Sequence, residues 1–177
     1  MSTSIVAALA LLGSTAYSKM TEAPYFYRSE RPMVIAHRGA FGHFPEHSLG
    51  SYTDAYYGGA DFIEMDLQAT KDGELVAQHD PYLDVTTNVA EYADQFKSKF
   101  TVGQYHYFVH DFTMRELKLL KRKQRYSDRS QLVNDKYEMV TLQEVIDTVN
   151  MLNADAPRTV NSNTRAGLYI EIKDWAA

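Results

Sequence analysis

The segment Ala60-Asp-Phe-Ile-Glu-Met-Asp-Leu67 decides the fold, because acidic and apolar residues alternate through its second half. Side chains two positions apart in a β-strand share one face, so Glu64 and Asp66 point the same way and their apolar neighbours point the other. Two carboxylates side by side repel each other, and a divalent cation between them best explains the pair. A Glu-x-Asp pair alone is more often a solvated face, but the apolar flanks weaken that alternative. The segment therefore predicts a strand that carries a metal site.

The segments on either side of this strand predict a parallel sheet. Upstream, Pro32-Met-Val-Ile-Ala-His37 predicts a short buried strand, and residues 48–57 predict a helix that ends at Gly58-Gly59. A strand-helix-strand order favours parallel pairing, with the ligand site at the carboxyl ends of the strands. Downstream, the turn at residues 71–73 is too short for a crossover, so residues 74–79 predict an antiparallel return to the same strand.

The later part of the chain carries two marked helix starts and one further strand. Thr113-Met-Arg-Glu116 and Thr141-Leu-Gln-Glu144 match the capping box, in which Thr and Glu satisfy each other's backbone amides at the start of a helix. Gly167-Leu-Tyr-Ile-Glu-Ile-Lys173 predicts a strand on which Glu171 can supply a third oxygen ligand. Residues 81–112 are polar and rich in tyrosine, and we interpret them as an irregular insertion.

Imidazole and guanidinium groups stand at the ends of the predicted strands. His37 and His79 each end an apolar segment, where the side chain would overlook the mouth of the sheet. For one such residue, a buried and hydrogen-bonded histidine is the commoner explanation. Two histidines beside a carboxylate cluster favour acid-base chemistry, because imidazole titrates near neutral pH. Arg38 offers a planar fork of donors that matches phosphate oxygens, and its alternative is a surface salt bridge.

These features belong to a series of short motifs between residues 37 and 173. The motifs are His37-Arg38-Gly39, Pro45-Glu46-His47-Ser48, Gly59 to Asp66, Thr70 to Gly73, Leu75 to Asp80, Asp111 to Lys118, Thr141 to Val145 and Tyr169 to Lys173. In content and order they resemble the glycerophosphodiester phosphodiesterase family, and their spacing is most similar to its periplasmic or secreted subgroup.

The resemblance implies an α/β fold of the (β/α)8 TIM-barrel type, with Ca2+ or Mg2+ as the cation. The matching site residues are Glu64, Asp66 and Glu171 for the metal, His37 and His79 for acid and base catalysis, Arg38 and Lys173 for the substrate phosphate, and Glu46 and Asp80 as groups that orient the others. Such a barrel typically needs about 250 residues, and this chain has 177. We therefore expect the N-terminal part of an incomplete barrel.

The expected domain organisation has three parts. Residues 1–18 contain a short apolar run followed by small residues, which predicts a signal peptide and export to the periplasm or the cell exterior. The absence of Lys and Arg before the run keeps a packed or frayed N-terminal helix as the alternative. Residues 19–31 are a predicted linker, and residues 32–177 a partial phosphodiesterase domain, with the insertion at about 81–112.

The expected function is hydrolysis of small-molecule glycerophosphodiesters to sn-glycerol 3-phosphate and an alcohol, impaired because the barrel is truncated. One alternative is an inactive fragment that binds metal or a partner chain, and the missing barrel half or a second copy would be such a partner. The other is a sphingomyelinase D-like lyase, which shares the barrel and the histidine pair. Those lyases generally carry disulfides, so the absence of cysteine counts against this alternative.

The composition argues against other functions. A net charge of -5 with a pI near 5.6 disfavours binding to nucleic acid, and no later segment has the roughly 20 apolar residues of a membrane span. The basic run Lys118-Leu-Leu-Lys-Arg-Lys-Gln-Arg125 is interpreted as a solvated helix end rather than a nucleic-acid patch. The thirteen tyrosines indicate ordinary packing rather than a choline cage, and the spacing of His43, His47, His106 and His110 singles out none of them.

Overall fold

Strands and short helices alternate along the chain. The computed structural model describes residues 32–101, 103–155 and 165–173. The elements in chain order are β1 (Ile35–Ala36), α1 (Leu49–Tyr57), β2 (Phe62–Ala69), β3 (Leu75–Ala77), a 3-10 helix (Val89–Tyr92), β4 (Lys99–Thr101), β5 (Gln104–His106), a second 3-10 helix (Val109–Asp111), α2 (Met114–Leu117), α3 (Leu142–Asp155) and β6 (Gly167–Ile172). The predicted signal peptide and linker lie outside the described residues.

Strand β2 is the centre of a four-stranded mixed sheet. Strand β6 pairs with it in parallel along most of its length, from Phe62 to Leu67. Leu67 pairs with Ala77 of β3 and with Ile172 of β6, so these two strands flank β2 on opposite sides. Strand β1 pairs in parallel with the start of β2, on the same side as β3. The parallel strands and the antiparallel return of β3 confirm the predicted pairing and bring three carboxyl ends to one edge.

Two glycines stop helix α1 where the sequence predicts. The helix begins at Ser48, whose hydroxyl accepts a hydrogen bond from the backbone N–H of Ser51 at 3.1 Å. It ends at Gly58, and Gly59 then adopts a left-handed conformation with φ of 86°. A residue with a side chain rarely adopts that conformation, so glycine lets the chain turn directly from the helix into β2.

Both predicted capping boxes form, and helices follow both. In the first, the N–H of Thr113 donates to the Glu116 carboxylate at 2.8 Å, while the N–H of Glu116 donates to the Thr113 hydroxyl at 3.3 Å. In the second, the same two bonds join Thr141 and Glu144 at 2.8 and 3.1 Å. The first helix, α2, lasts only four residues, whereas α3 lasts fourteen. None of the helices in the described ranges is long and apolar enough to cross a membrane.

The hydrophobic core has two clusters. In the first, the apolar face of β2 packs against helices α1 and α3, so that the acidic face of β2 points away from the helices. Its most buried members include Tyr52, Ile63, Met65, Val145 and Val149. The second cluster joins residues 81–112, which carry the β4-β5 hairpin and both 3-10 helices, to α2 and the segment after it. Its members include Val76, Leu83, Val109, Leu117 and Met139.

The prediction that β1 is buried is wrong. The strand comprises two residues, and Val34 and Ile35 are 51% and 47% exposed. Its apolar sequence indicates a strand of a sheet interior, but β1 pairs only with β2 among the described residues. Strand β6 shares this situation, since Tyr169 and Ile172 are 52% and 77% exposed. The described sheet is therefore open rather than closed into a barrel.

Candidate active site

Three carboxylates meet at the centre of the sheet. Glu64 and Asp66 lie on the acidic face of β2, and the parallel register places Glu171 of β6 directly beside Asp66. One oxygen from each of the three residues lies within 4.8 Å of the others. Glu64 and Asp66 are buried, whereas Glu171 is exposed. The structure therefore brings together the three predicted metal ligands, although they come from distant parts of the sequence.

The cluster has the spacing and chemistry of a divalent-cation site. Oxygens on opposite sides of a calcium ion, each about 2.4 Å from it, are about 4.8 Å apart. The buried Glu64 Oε1 has no hydrogen-bond partner among the described residues, which leaves one oxygen unsatisfied at the cluster. All three ligand groups are hard oxygen donors, which suit Ca2+ or Mg2+ better than zinc. The residues present fit such an ion.

Burial and neighbouring charges separate the pKa values of the two β2 carboxylates. Burial raises the pKa of Glu64 to about 7, and the charge of Asp66 raises it as well. The backbone N–H of Arg38 donates to Glu64 at 2.5 Å, which lowers the pKa but does not offset the burial. Burial also disfavours ionised Asp66, but hydrogen bonds from His47 and Lys173 hold its pKa well below its usual range. At neutral pH the pair therefore consists of an ionised Asp66 and a partly protonated Glu64. A bound cation would favour ionisation of both.

The two residues predicted to hold phosphate contact the acidic cluster. Lys173 lies with its ammonium nitrogen 3.1 Å from Asp66 Oδ1 and also contacts the Glu171 carboxylate. Arg38 lies with Nη1 3.2 Å from Glu46 and Nε 3.5 Å from Asp66. Its backbone is left-handed, with φ of 57°, a conformation that costs a non-glycine residue about 1–2 kcal/mol. This conformation aims the Arg38 N–H at Glu64 and its side chain at the other carboxylates.

The two predicted catalytic histidines lie within electrostatic reach of each other. Burial lowers the pKa of His37, and the charges of Arg38 and His79 lower it further. The ring of His37 packs edge to face on Phe41, with 5.6 Å between ring centroids. The backbone carbonyl of His79 accepts a hydrogen bond from Gln68 of β2 at 3.0 Å, which holds this residue beside the central strand.

Glu46 and Asp80 each contact one of the residues that they were predicted to orient. Glu46 is buried and pairs with Arg38, while Asp80 Oδ1 lies 2.7 Å from Nδ1 of His79. A carboxylate can only accept, so Nδ1 of His79 carries the proton and Nε2 is the nitrogen available for proton transfer. Arg125 joins the two carboxylates, with its guanidinium 2.7 Å from Glu46 and 2.8 Å from Asp80.

His47 belongs to the site although the sequence did not single it out. It is fully buried, with Nε2 3.0 Å from Asp66 and Nδ1 2.8 Å from the hydroxyl of Tyr52. Burial lowers the pKa of His47 to about 4, so the ring is neutral at pH 7. The ionised Asp66 accepts the Nε2 proton, and Nδ1 in turn accepts from Tyr52. Its place directly after Glu46 in a matched motif was the signal available in the sequence.

The interpretation of residues 118–125 as a solvated helix end is wrong. Helix α2 ends at Leu117, and the chain then continues without helical structure. Arg122 is fully buried, donates to Gln78 at 2.6 Å and contacts the backbone carbonyl of Ala77. Arg125 makes the two ion pairs with the site carboxylates. A run of basic residues indicates charge but not partners, and these partners lie 44 or more residues away in the sequence.

The parallel strands carry an acidic cluster that could hold a cation, with an arginine and a lysine in contact with it. This arrangement is typical of a site of the (β/α)-barrel type. The model of the glycerophosphoryl diester phosphodiesterase family matches residues 37–167. The chain therefore belongs to this family, a family of hydrolases, and the predicted resemblance of its motifs to the family is confirmed.

Relatives and solved structures agree with this assignment. The glycerophosphodiester phosphodiesterase GDPD6 of Arabidopsis thaliana is 41% identical over 152 residues, which cover 83% of this chain and 38% of that protein. The glycerophosphodiester phosphodiesterase from Agrobacterium tumefaciens superposes with a TM-score of 0.57 at 25% identity, covering 80% of this chain and 47% of that one. An Oleispira antarctica phosphodiesterase, solved with the product sn-glycerol-3-phosphate, gives 0.56 at 26% identity, covering 80% and 44%.

The structural similarity confirms the predicted fold class, the N-terminal part of an incomplete (β/α)8 barrel. The chain spans less than half the length of each of these three relatives.

Proposed function

We propose that this site hydrolyses glycerophosphodiesters to sn-glycerol 3-phosphate and an alcohol. One observation carries the proposal: oxygens of Glu64, Asp66 and Glu171 lie within 4.8 Å of one another, and His37 lies within electrostatic reach of Asp66 and of His79. Membership of the family supports the substrate class. The Oleispira antarctica relative, solved with sn-glycerol-3-phosphate, supports the identity of one product.

We propose Ca2+ or Mg2+ as the cation, held by the three carboxylates. When bound, such an ion supplies charge neutralisation for the phosphodiester and lowers the pKa of bound water. The unsatisfied Glu64 Oε1 supports this assignment, because a buried carboxylate oxygen without a donor is costly unless a cation or proton compensates it.

Arg38 and Lys173 are proposed to bind the phosphate oxygens that carry the negative charge. The guanidinium of Arg38 can give two parallel hydrogen bonds to a phosphate, which fixes the direction of the phosphorus centre. Lys173 supplies a single charge beside Asp66 and Glu171. Together they are proposed to hold the diester beside Asp66, whose charge also acts on His37.

The histidines are proposed to move the two protons of the reaction. One imidazole removes a proton from the attacking water, or from a substrate hydroxyl, as the new oxygen-phosphorus bond forms. The other gives a proton to the alkoxide oxygen as its bond to phosphorus breaks. The contact between Asp80 and Nδ1 of His79 supports this role, because it fixes one tautomer of that ring.

We propose that a polypeptide of these 177 residues alone has strongly reduced activity. The described sheet is open, and a displacement of about 1 Å in a reacting group can cost about 100-fold in rate. We therefore expect hydrolysis at least about 100-fold slower than that of a full-length family member. The open edge would let Glu171 and Lys173 move relative to β2.

The test uses the purified polypeptide with glycerophosphocholine in Ca2+, Mg2+ or EDTA, with enzymatic detection of sn-glycerol 3-phosphate. We expect slow hydrolysis that requires a cation and disappears in His37→Gln and His79→Gln. Activity that persists in EDTA would contradict the metal requirement. A rate equal to that of full-length relatives would contradict the impairment, and a cyclic phosphate product would indicate a lyase.

We also propose that residues 1–18 direct export, so that the protein acts in the periplasm or outside the cell. The apolar run and the small residues after it support this. A fusion of residues 1–31 to an alkaline phosphatase that is active only after export tests the proposal. Active phosphatase is expected, and an inactive fusion retained in the cytoplasm would contradict it.

A further inference from the structure

We infer that Arg125 is a positioning residue that couples the phosphate-binding side of the site to its proton-transfer side. This inference rests on the proposed function. Arg125 lies in the irregular segment after α2, 79 residues from Glu46 and 45 residues from Asp80 in the sequence. It nevertheless contacts both of these carboxylates, and each of them contacts one functional residue, Arg38 or His79.

The first coupling runs through Glu46 to Arg38. Glu46 is 1% exposed, so its charge needs partners inside the protein. Arg125 Nε lies 2.7 Å from Oε2, and Arg125 Nη2 donates to Oε1 at 2.9 Å. Arg38 Nη1 donates to the same Oε1 at 3.2 Å. Because Arg125 contacts both oxygens of Glu46, Arg38 gives this carboxylate only one of its nitrogens.

This sharing leaves part of the Arg38 guanidinium for substrate. Nη1 binds Glu46 and Nε lies 3.5 Å from Asp66, while Nη2 makes no hydrogen bond or ion pair with a described residue. Without Arg125, both oxygens of Glu46 would compete for Arg38 as a bidentate pair. The competition would draw donors of Arg38 away from a phosphate.

The second coupling runs through Asp80 to His79. Asp80 Oδ1 accepts from Nδ1 of His79 at 2.7 Å, and Asp80 Oδ2 accepts from Arg125 Nη2 at 2.8 Å. Each oxygen of this carboxylate therefore has its own donor, which fixes the plane of the group. A fixed carboxylate holds the imidazole in one tautomer and one orientation, as groups behind metal-ligating histidines do.

Lysine replaces only part of this arginine. Nη2 alone contacts both Glu46 Oε1 and Asp80 Oδ2, and Nε adds a contact with Glu46 Oε2. An ammonium group has one nitrogen, so Arg125→Lys keeps the charge and loses the contact that Nε makes. Arg125→Gln loses the charge and most of the donors. Comparison of the two variants shows whether the site needs only the positive charge of Arg125 or all of its contacts with Glu46 and Asp80.

The first experiment measures the tautomer of His79 directly, without catalysis. Ring 15N NMR signals are recorded on the 177-residue polypeptide at pH 8.5, above the ordinary pKa range of imidazole, and His79→Gln identifies the signals of His79. We expect a single tautomer with the proton on Nδ1 in the unaltered polypeptide. Arg125→Gln is expected to give a mixture of tautomers, and Arg125→Lys a smaller change of the same kind.

The second experiment measures binding of sn-glycerol 3-phosphate by calorimetry in the presence of Ca2+. We expect Arg125→Gln to weaken binding about 10-fold, the lower end of the cost of losing an orienting group. Arg115→Gln is the matched control, because Arg115 is an exposed arginine on α2. It is expected to change neither binding nor the His79 signals. Near-ultraviolet circular dichroism checks that each variant is folded. If Arg125→Gln does not fold, the same measurements are made on Arg125→Lys.

The outcomes separate this inference from the proposed function. If the unaltered polypeptide binds no sn-glycerol 3-phosphate, the proposed function loses its support, while the NMR signals still decide the role of Arg125. If binding occurs and a folded Arg125 variant changes neither the tautomer of His79 nor the affinity, the positioning role is overturned. Equal effects of Arg115→Gln and Arg125→Gln would also overturn it.

Discussion

Strands β2 and β6 are hydrogen-bonded neighbours that serve the same site from very different surroundings. Strand β2 has strands on both sides, and six of its eight residues are buried. Strand β6 pairs with β2 alone among the described residues, and its last four residues are exposed. Both strands have apolar residues around an acidic residue of the cluster, so their own sequences do not cause the difference in burial. The elements that surround each strand cause it.

The difference shows which part of the site is held in place. Asp66 contacts His47, Arg38 and Lys173, and Glu64 accepts the backbone N–H of Arg38. The Glu171 side chain is 53% exposed, and Lys173 is its ion-pair partner. The β2 carboxylates are therefore held in place by several contacts, whereas Glu171 has one ion-pair partner among the described residues. That a missing barrel half or a second copy covers this face stays a prediction.

The largest expected effect is on stability, from Met65→Ala on β2. Met65 is fully buried in the first core cluster, and replacing a buried methionine by alanine costs about 2–5 kcal/mol through lost burial and a residual cavity. Urea unfolding followed by circular dichroism measures the loss. Met151→Ala on α3 is the matched control, because Met151 is 55% exposed and its truncation should change stability little. Equal losses in both variants would contradict the account of β2 as the packed centre.

A smaller effect is expected on metal affinity, and it should differ between the two strands. Asp66→Asn removes the most firmly held charge of the proposed metal site, and we expect Ca2+ binding to weaken about 100-fold. Glu171→Gln is expected to weaken it only about 10-fold, because this exposed ligand is less preorganised. Isothermal titration with Ca2+ measures both. Asp94→Asn, at an exposed position away from the cluster, controls for the loss of a negative charge. A larger loss from Glu171→Gln than from Asp66→Asn would reverse the comparison.

The buried groups at β2 should also give stability a pH dependence with two opposing parts. Glu64 has a pKa of about 7 in the folded state against an ordinary value of 4.5. The folded state therefore binds more protons between these values, and this group makes stability fall as pH rises through that window. His47 has a pKa of about 4 against 6.5, so the unfolded state binds more protons there and stability rises with pH. In the unaltered protein the two contributions offset each other between about pH 4.5 and 6.5.

A variant that lacks either Glu64 or His47 shows the pH dependence of stability that the remaining group causes. From pH 4.5 to 6.5 in EDTA, Glu64→Gln should become more stable with rising pH and His47→Gln less stable, each by about 1–3 kcal/mol. Urea midpoints at several pH values measure the slopes. Slopes of the same sign in both variants would show that burial at β2 does not set these pKa values.

Local sequence patterns predicted the strands and helices, and the expected meeting of parallel strand ends at one edge of the sheet predicted the site. The alternation around Glu64 and Asp66, the capping boxes and the glycines after α1 specify strand, helix starts and turn within a few residues each. Convergence of parallel strand ends then predicted that Glu171 joins the cluster. The contacts of His47 and Arg125 were not predicted, because they depend on how irregular segments fold back over the sheet. No periodicity links Arg125 to a glutamate 79 residues away.

Burial of whole strands was the other feature that the sequence did not predict. An apolar strand is buried only when other elements cover it, and its own residues do not encode their presence. Ile35 on β1 and Ile172 on β6 are exposed for this reason, whereas Ile63 on β2 is fully buried. The same residue type thus occupies opposite environments in adjacent strands.

The smallest expected effect follows from this contrast and concerns Ile172→Thr. Threonine keeps the branched shape that suits a strand, and Ile172 is 77% exposed, so the change should alter unfolding free energy by less than about 0.5 kcal/mol. Ile63→Thr makes the identical exchange at a fully buried position and should cost about 1–3 kcal/mol, because it buries a hydroxyl. If Ile172→Thr costs as much as Ile63→Thr in urea unfolding, then β6 is covered in solution. Dependence of that cost on protein concentration would then identify a second copy as the cover, since association stabilises by mass action.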